Sequence, residues 1–197
     1  MAGSEDELLV RLRAGDESAF LELVGQHHRQ LIRLASAFVT RAETAEDVAQ
    51  ETWLAVVRGI DRFEGRSSLR TWLFQICANR ARSISVGERR SVPVEHIEPA
   101  VDAEQFSPTG AWTSPPVPWP DAAAHAAADA DLVELIRLII GELPTMQQSV
   151  VTMRDLDGLT SAEVCQVLSI TEANQRVLLH RGRERIRSAI TKTMVRQ

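Results

Sequence analysis

LTSAEVCQVLSITEANQRVLLHRGRERIRS, residues Leu159–Ser188, reads as two helices with a turn of three residues between them. Thr160 and Glu163 have the spacing of a capping box, in which each side chain satisfies a free backbone N–H of the other residue. Val164, Val167 and Leu168 give the short helix an apolar side. Ser169-Ile170-Thr171 makes the turn, with Thr171 capping a longer helix that runs to about Ile190. On that helix Leu179, Gly182, Ile186 and Ile190 recur at the spacing of a buried face. Arg176, His180, Arg181, Arg183 and Arg187 fall mostly elsewhere. Short helix, tight turn and longer basic helix together make a helix-turn-helix. Arginine near the start of such a helix can offer two parallel hydrogen bonds to a guanine edge, and those farther along can hold phosphates. The alternative is an amphipathic helix whose charges merely sit in water.

Upstream of this stretch, Leu132, Leu135, Ile136, Ile139 and Ile140 form one amphipathic face. Pro144 is placed to open a further helix carrying Val150, Val151 and Met153, and Asp157-Gly158 is a turn. Before these lies a segment of different character. Ser91–His125 holds seven of the chain's eight prolines, including the run SPPVPWPD. It cannot continue a helix and has too little periodic apolar content for a core, so it is expected to be an extended linker between two domains. Trp112 and Trp119 are out of keeping with a purely solvated tether, because large aromatics seek burial.

The first part of the chain is again helical by pattern. Ser4 with Glu7, and Thr44 with Asp47, have capping-box spacing, and Asp16 can cap a helix after Gly15. Phe20, Leu23, Val24, His27, Leu31, Leu34, Ala35 and Phe38 form a stripe at helical spacing. Val48, Thr52, Trp53, Val56, Val57 and Ile60 form another, and Leu69, Trp72, Leu73, Ile76, Cys77 and Ile84 a third after the polar loop Asp61–Ser67. The fold expected is all-α. It comprises an N-terminal helical bundle over 1–90, an acidic Pro-rich linker over 91–125, and a C-terminal helix-turn-helix bundle over 126–197.

Charge is segregated in the same way. The net charge of −5 looks wrong for a nucleic-acid binder, yet Arg62–Arg90 carries seven arginines against two acids. Ser91–Asp131 has seven acids and no basic residue, and Arg176–Gln197 has seven basic residues against Glu184. Basic segments separated by an acidic one are the footprint of a chain that meets nucleic acid in particular places. Catalysis finds no support. His27 and His28 are adjacent with His27 on an apolar stripe, His96 and His125 lie in the linker, and no nucleophile–base pair or phosphate-cradling glycine loop can be assembled. With only Cys77 and Cys165, each in an apolar helical pattern, neither a disulfide framework nor a metal site is expected, and no cofactor either. An acidic N-terminus without an apolar signal core, and the lack of a long apolar run, point to a cytoplasmic protein without membrane insertion.

Residues Leu143–Arg187, from LPTMQQSVV through RGRERIR, resemble the C-terminal domain of extracytoplasmic-function (ECF) sigma factors of the sigma-70 superfamily. The blocks GDESAFLELVGQHHRQLIRLA, AEDVAQETWLAVVRGIDRFEG and SSLRTWLFQICANRAR resemble the family's N-terminal domain, in its order and spacing. The resemblance implies a protein that binds core RNA polymerase, directs it to promoter DNA and helps open the −10 region, restrained by an anti-sigma factor. It implies that the helix over Ala45–Arg58 docks on polymerase through Asp47, Gln50 and Glu51, with Val48 and Val57 facing inward. It implies −10 contacts from Arg66, Ser67, Arg70, Asn79, Arg80 and Arg82. Trp72 and Trp53 fit core packing better than base stacking, since both share stripes with aliphatic neighbours. It also implies reading of the −35 element by Asn174, Gln175, Arg176, His180, Arg181, Arg183 and Arg187. The sequence departs from the family pattern here. Gln175 stands where an apolar residue usually packs, and Val177-Leu178 replace a more polar pair. In the family the linker threads a passage that normally holds nucleic acid, which the seven carboxylates of Ser91–Asp131 would suit, a solvated tether being the alternative.

Overall fold

The computed structural model describes residues 2–89 and 130–194, and within these it is helical without strands. The linker, with its acidic cluster, Trp112 and Trp119, lies outside the described residues, as does the end of the chain beyond Met194. Contacts divide the chain into two compact units, Met1–Val94 with Gln166–Ser169, and Glu95–Cys165 with Ile170–Gln197.

The first unit is built on α1 (Ala2–Arg13), α2 (Glu17–Ser36), α3 (Ala42–Gly59) and α4 (Leu69–Arg89), with a single 3-10 turn at Ile60–Arg62. Gly15, at φ +75, makes the reversal after α1, and Asp16 then caps α2 by accepting from the N–H groups of Ser18 (2.9 Å) and Ala19 (3.2 Å). Two other expected capping boxes do not form. Ser4 lies inside α1, which already begins at Ala2. Likewise α3 opens at Ala42, after Arg41, which supplies no side-chain cap, so Thr44 is within the helix and Asp47 in its second turn. The alanine and glutamate at positions 42 and 43 extend the helix by propensity, and Glu43 suits the positive end of the helix dipole.

Leu23, Leu31 and Leu34 of α2, Val48 and Val56 of α3, and Leu73 and Phe74 of α4 are fully buried against one another. Burying each such side chain stabilises the unit by about 1.5–3 kcal/mol. Both tryptophans outside the linker belong to this packing. Trp53 is buried, meets Phe20 edge-on at 5.8 Å and donates from Nε1 to His28 Nδ1 at 3.1 Å. Trp72 is half-buried and lies on Phe63, ring centres 5.0 Å apart. Gly59 allows that ring to approach, since a Cβ there would stand 3.4 Å from it. Val57 corrects the sequence reading. It is 57% exposed, because α3 turns Val56 inward and its neighbour therefore outward.

The second unit contains α5 (Ala130–Gly141), α6 (Thr145–Val151), the first part of α7 (Ser161–Leu168), as far as Cys165, and α8 (Glu172–Met194). A π turn at Thr152–Leu156 follows α6, and Gly158, at φ +71, completes the bend. The Thr160–Glu163 box is closed in both directions, Thr160 N–H to Glu163 Oε2 at 2.7 Å and Glu163 N–H to Thr160 Oγ1 at 3.3 Å. Thr171 caps α8 by accepting from Asn174 N–H at 3.2 Å. Ile139, Ile140, Leu143, Val151 and Ile186 form the core, with Leu135, Ile136, Leu179 and Ile190 packed against it. Gly182 lets α8 close on α6, since a Cβ there would lie 2.6 Å from Val151 Cγ2. Among the described residues no helix is long and apolar enough to cross a membrane, and no group of three or more potential ligands could hold a metal ion.

Candidate nucleic-acid interface

The helix-turn-helix places its cations according to the register of α8. Gln175, Leu178, Gly182 and Ile186 are buried along one side. Arg176, His180, Arg183 and Arg187 follow one another at spacings of four, three and four, so they share one stripe of the helix beside that buried side. Arg181 and Asn174 do not join them. By helical periodicity both lie on a flank about 140–160° from Arg176. Gln175 is the clear correction. It is 1% exposed, and its Oε1 accepts from Ser161 Oγ of α7 at 2.6 Å, so it ties the two helices of the motif together rather than meeting DNA.

The remaining cations carry local partners. Arg176 pairs with Glu172 one turn earlier at 2.9 Å, with both side chains more than half exposed. Such a surface pair is cheap to exchange for a phosphate or base. Arg183 is held differently. Its Nε and Nη2 donate to Asp155 Oδ2 (2.9 Å) and Oδ1 (2.5 Å), a two-pronged pair with the π turn. That pair raises the guanidinium's pKa and fixes the helix against its neighbour. His180 approaches Glu184 at 3.9 Å, and exposed Arg185 adds a cation that sequence reasoning passed over.

The second group of cations lies on α4 and the loop before it. Gly65, at φ +71, turns the loop tip, where Arg66 is strongly exposed beside Glu64 at 3.1 Å. Ser67 is half-buried, and its Oγ donates to the carbonyl of Ser68 at 3.3 Å. Ser68 caps α4, accepting from Thr71 N–H at 3.1 Å. Beyond it, Arg70 stacks over Phe74 at 5.5 Å and Arg82 over Phe38 at 5.6 Å, while Asn79 is exposed. Arg80 is paired across helices with Glu51 of α3. Arg82 also donates from Nη1 to Asn79 Oδ1 at 3.4 Å, so its edge as well as its face is engaged locally.

The third surface is on α3. Asp47 and Gln50 are exposed on one stripe, and Leu54 (54% exposed) and Val57 continue it at the same helical spacing. Glu51 stands beside this stripe and is engaged by Arg80. Leu54 and Val57 are additions to the expected set. The spacing 47, 50, 54 and 57 carries the signal, which places Val57 with this stripe and not with the inward-facing residues.

Two family descriptions match this chain, sigma-70 region 2 over residues 23–90 and sigma-70 region 4 over residues 134–186. The ECF RNA polymerase sigma-E factor of Escherichia coli K12 is 30% identical over 182 residues, covering 92% of either chain. RNA polymerase sigma-H factor of Pseudomonas aeruginosa is 28% identical over 186 residues, 94% of this chain and 93% of its own. Among solved structures, CnrH in complex with the cytosolic domain of CnrY superposes with a TM-score of 0.60 at 19% identity, covering 95% and 97% of the two chains. The sigma factor RpoE from Bartonella quintana, in complex with the anti-sigma factor NepR, gives 0.62 at 19% identity, covering 87% and 96%.

Proposed function

Because this chain belongs to the ECF RNA polymerase sigma factors, we propose that its first unit docks on core polymerase and opens the −10 region, while α8 reads the −35 element. A sigma factor is a transcription initiation factor and not an enzyme, binding core RNA polymerase and promoter DNA. The observation that carries the assignment of parts is the match of region 2 and region 4, in that order, to the two helical blocks bearing the cationic surfaces. The domains of this reading are 1–90, a linker over 91–125, and 126–197.

The contacts follow from what each surface can bind. Arg176, His180 and Arg187 would enter the major groove together, with Arg181 and Asn174 reaching a phosphate strand from the flank. Arg183 is assigned to setting the angle of α8 through Asp155. Arg66, Ser67, Arg70, Asn79 and Arg82 line the path of an unpaired strand, and Arg80 joins them by exchanging Glu51 for phosphate. Asp47 and Gln50, with Leu54 and Val57 continuing the stripe beyond them, offer polymerase an apolar strip with polar groups at one end. The protein works in the cytoplasm, where its polymerase is. A restraining anti-sigma factor is part of the reading, supported by a structural neighbour solved with one; purification from cells without any second protein, and full activity without induction, would remove it.

In vitro transcription with core enzyme and a promoter library tests the whole. Specific initiation dependent on this chain is expected, with tight promoter binding only in the presence of core. A conventional dimeric repressor using the same helix-turn-helix would instead bind duplex operator tightly alone. No specific initiation under any condition would sink the sigma reading.

A further inference from the structure

The loop from Ile60 to Ser68 decides where Arg66, Ser67 and the start of α4 stand, so whatever fixes its backbone fixes the strand-capturing groups. Inside the loop, Phe63 is buried and rests on Trp72, which anchors its middle. The ends are held from α1, a helix that precedes the region-2 match over residues 23–90. Arg13 donates from Nε to the carbonyl of Ile60 at 3.5 Å and from Nη2 to the carbonyl of Phe63. Glu5, on the same helix, accepts from the backbone N–H of Leu69, the first residue of α4.

These contacts are directed at backbone, not at apolar side chains. The Arg13 guanidinium gathers two carbonyls of the turn that ends α3, and two such carbonyls can converge only on a cation or a multiple donor. A carboxylate at the first N–H of α4 satisfies one of the donors that a helix start leaves free and suits the positive end of its dipole. Ser68 serves a different donor, Thr71 N–H, so Glu5 adds to that cap and does not duplicate it. One rigid helix thus grips the backbone at both ends of a loop of nine residues, Ile60 to Ser68, whose tip bears Arg66.

We propose that α1 is a brace for the strand-capturing loop, with Glu5 and Arg13 as positioning residues that set how readily promoter DNA opens. The proposal rests on the reading of Arg66, Ser67 and Arg70 as −10 contacts. Neither residue touches DNA in this scheme; each acts by fixing the loop path. An opened strand is captured only when loop and helix start stand in register, whereas docking on polymerase uses the far stretch of α3 at Asp47 and Gln50.

The test uses the full chain assembled with core polymerase and carrying Glu5→Ala, Glu5→Gln, Arg13→Ala or Arg13→Lys. Core affinity is measured by competition, promoter opening by reactivity of unpaired thymines on duplex DNA, and initiation on the same promoter with the −10 region already unpaired. Glu5→Ala and Arg13→Ala should each lower duplex opening by about fivefold or more, as expected when reacting groups are displaced by about an ångström. Core affinity should stay unchanged, and the premelted template should recover most of the loss. Glu5→Gln, which keeps an acceptor, should open more duplex than Glu5→Ala. Smaller losses, equal losses on both templates, or a parallel fall in core affinity would each overturn the brace. Arg66→Ala and Arg70→Ala run alongside: normal opening in both refutes the loop reading itself, while a defect there with intact α1 variants refutes the brace alone.

Discussion

Asp16 does two jobs with one carboxylate. It caps α2 through Ser18 and Ala19 and pairs with Arg11 Nε at 2.8 Å. The Arg11 hydrogen bond first, then the two backbone donors, hold its pKa down to about 2 from 3.8. A carboxylate depressed on folding contributes stability above its unfolded pKa and loses it as pH falls through the folded value. The first unit should therefore lose stability between about pH 4 and pH 2 through this group, and Asp16→Asn should flatten that slope in thermal melts. An unaltered slope in the variant would assign the acid sensitivity elsewhere. Gln175 makes a second residue-scale case. Ser161→Ala leaves its buried Oε1 without this donor and should cost about 1–3 kcal/mol of the second unit's stability, while Ser161→Ala with Gln175→Leu should recover most of it. Urea unfolding of the single and double variants reads the coupling; equal losses in both would deny it. The burial of Gln175 was legible in the sequence. Stepping back from Ile186 through Gly182 and Leu179 at helical spacing lands on position 175, but an amide beside Arg176 looked like a base reader.

At the scale of elements, the helices and their caps near Asp16, Thr160 and Thr171 followed from spacing, because a cap is a local contact between residues three apart or fewer. What spacing did not reveal was the contact made across the sequence. Glu51 reaches Arg80, Asp155 reaches Arg183 and Glu5 reaches Leu69, and no local pattern encodes partners so distant. The facing of α3 was missed for a different reason. Val56 and Val57 are identical residues, and only packing decides that the first is 1% and the second 57% exposed. Large apolar groups left in water on a helix whose other side is full contribute little to folding. Leu54→Ala with Val57→Ala should shift the melting free energy by no more than about 0.5 kcal/mol. The same pair should weaken core polymerase binding by about tenfold, on the order of 1.4 kcal/mol. A competition assay with core enzyme measures the second quantity; undiminished affinity would take α3's apolar strip out of the interface.

Across the whole molecule, charge is arranged so that a net −5 chain carries two strongly basic segments. Between them, the stretch from Glu95 to Asp131 holds seven acids without a lysine or arginine. Free in solution, such a chain should hold non-specific DNA weakly, since its own carboxylates offset the field that draws in phosphates. Neutralising those seven (Glu95, Glu98, Asp102, Glu104, Asp121, Asp129 and Asp131) to their amides would reverse the sign of the total while leaving both cationic surfaces untouched. Polymerase-free binding to duplex DNA without a promoter should then tighten, by about tenfold or more at low salt, and the gain should fade as ionic strength rises and the Debye length shrinks below about 10 Å. Fluorescence anisotropy across a salt series measures both effects. If the amide variant binds no tighter at low salt, the linker's charge does not reach the DNA-facing surfaces, and the weak binding expected of the free chain must come from the geometry of its two units.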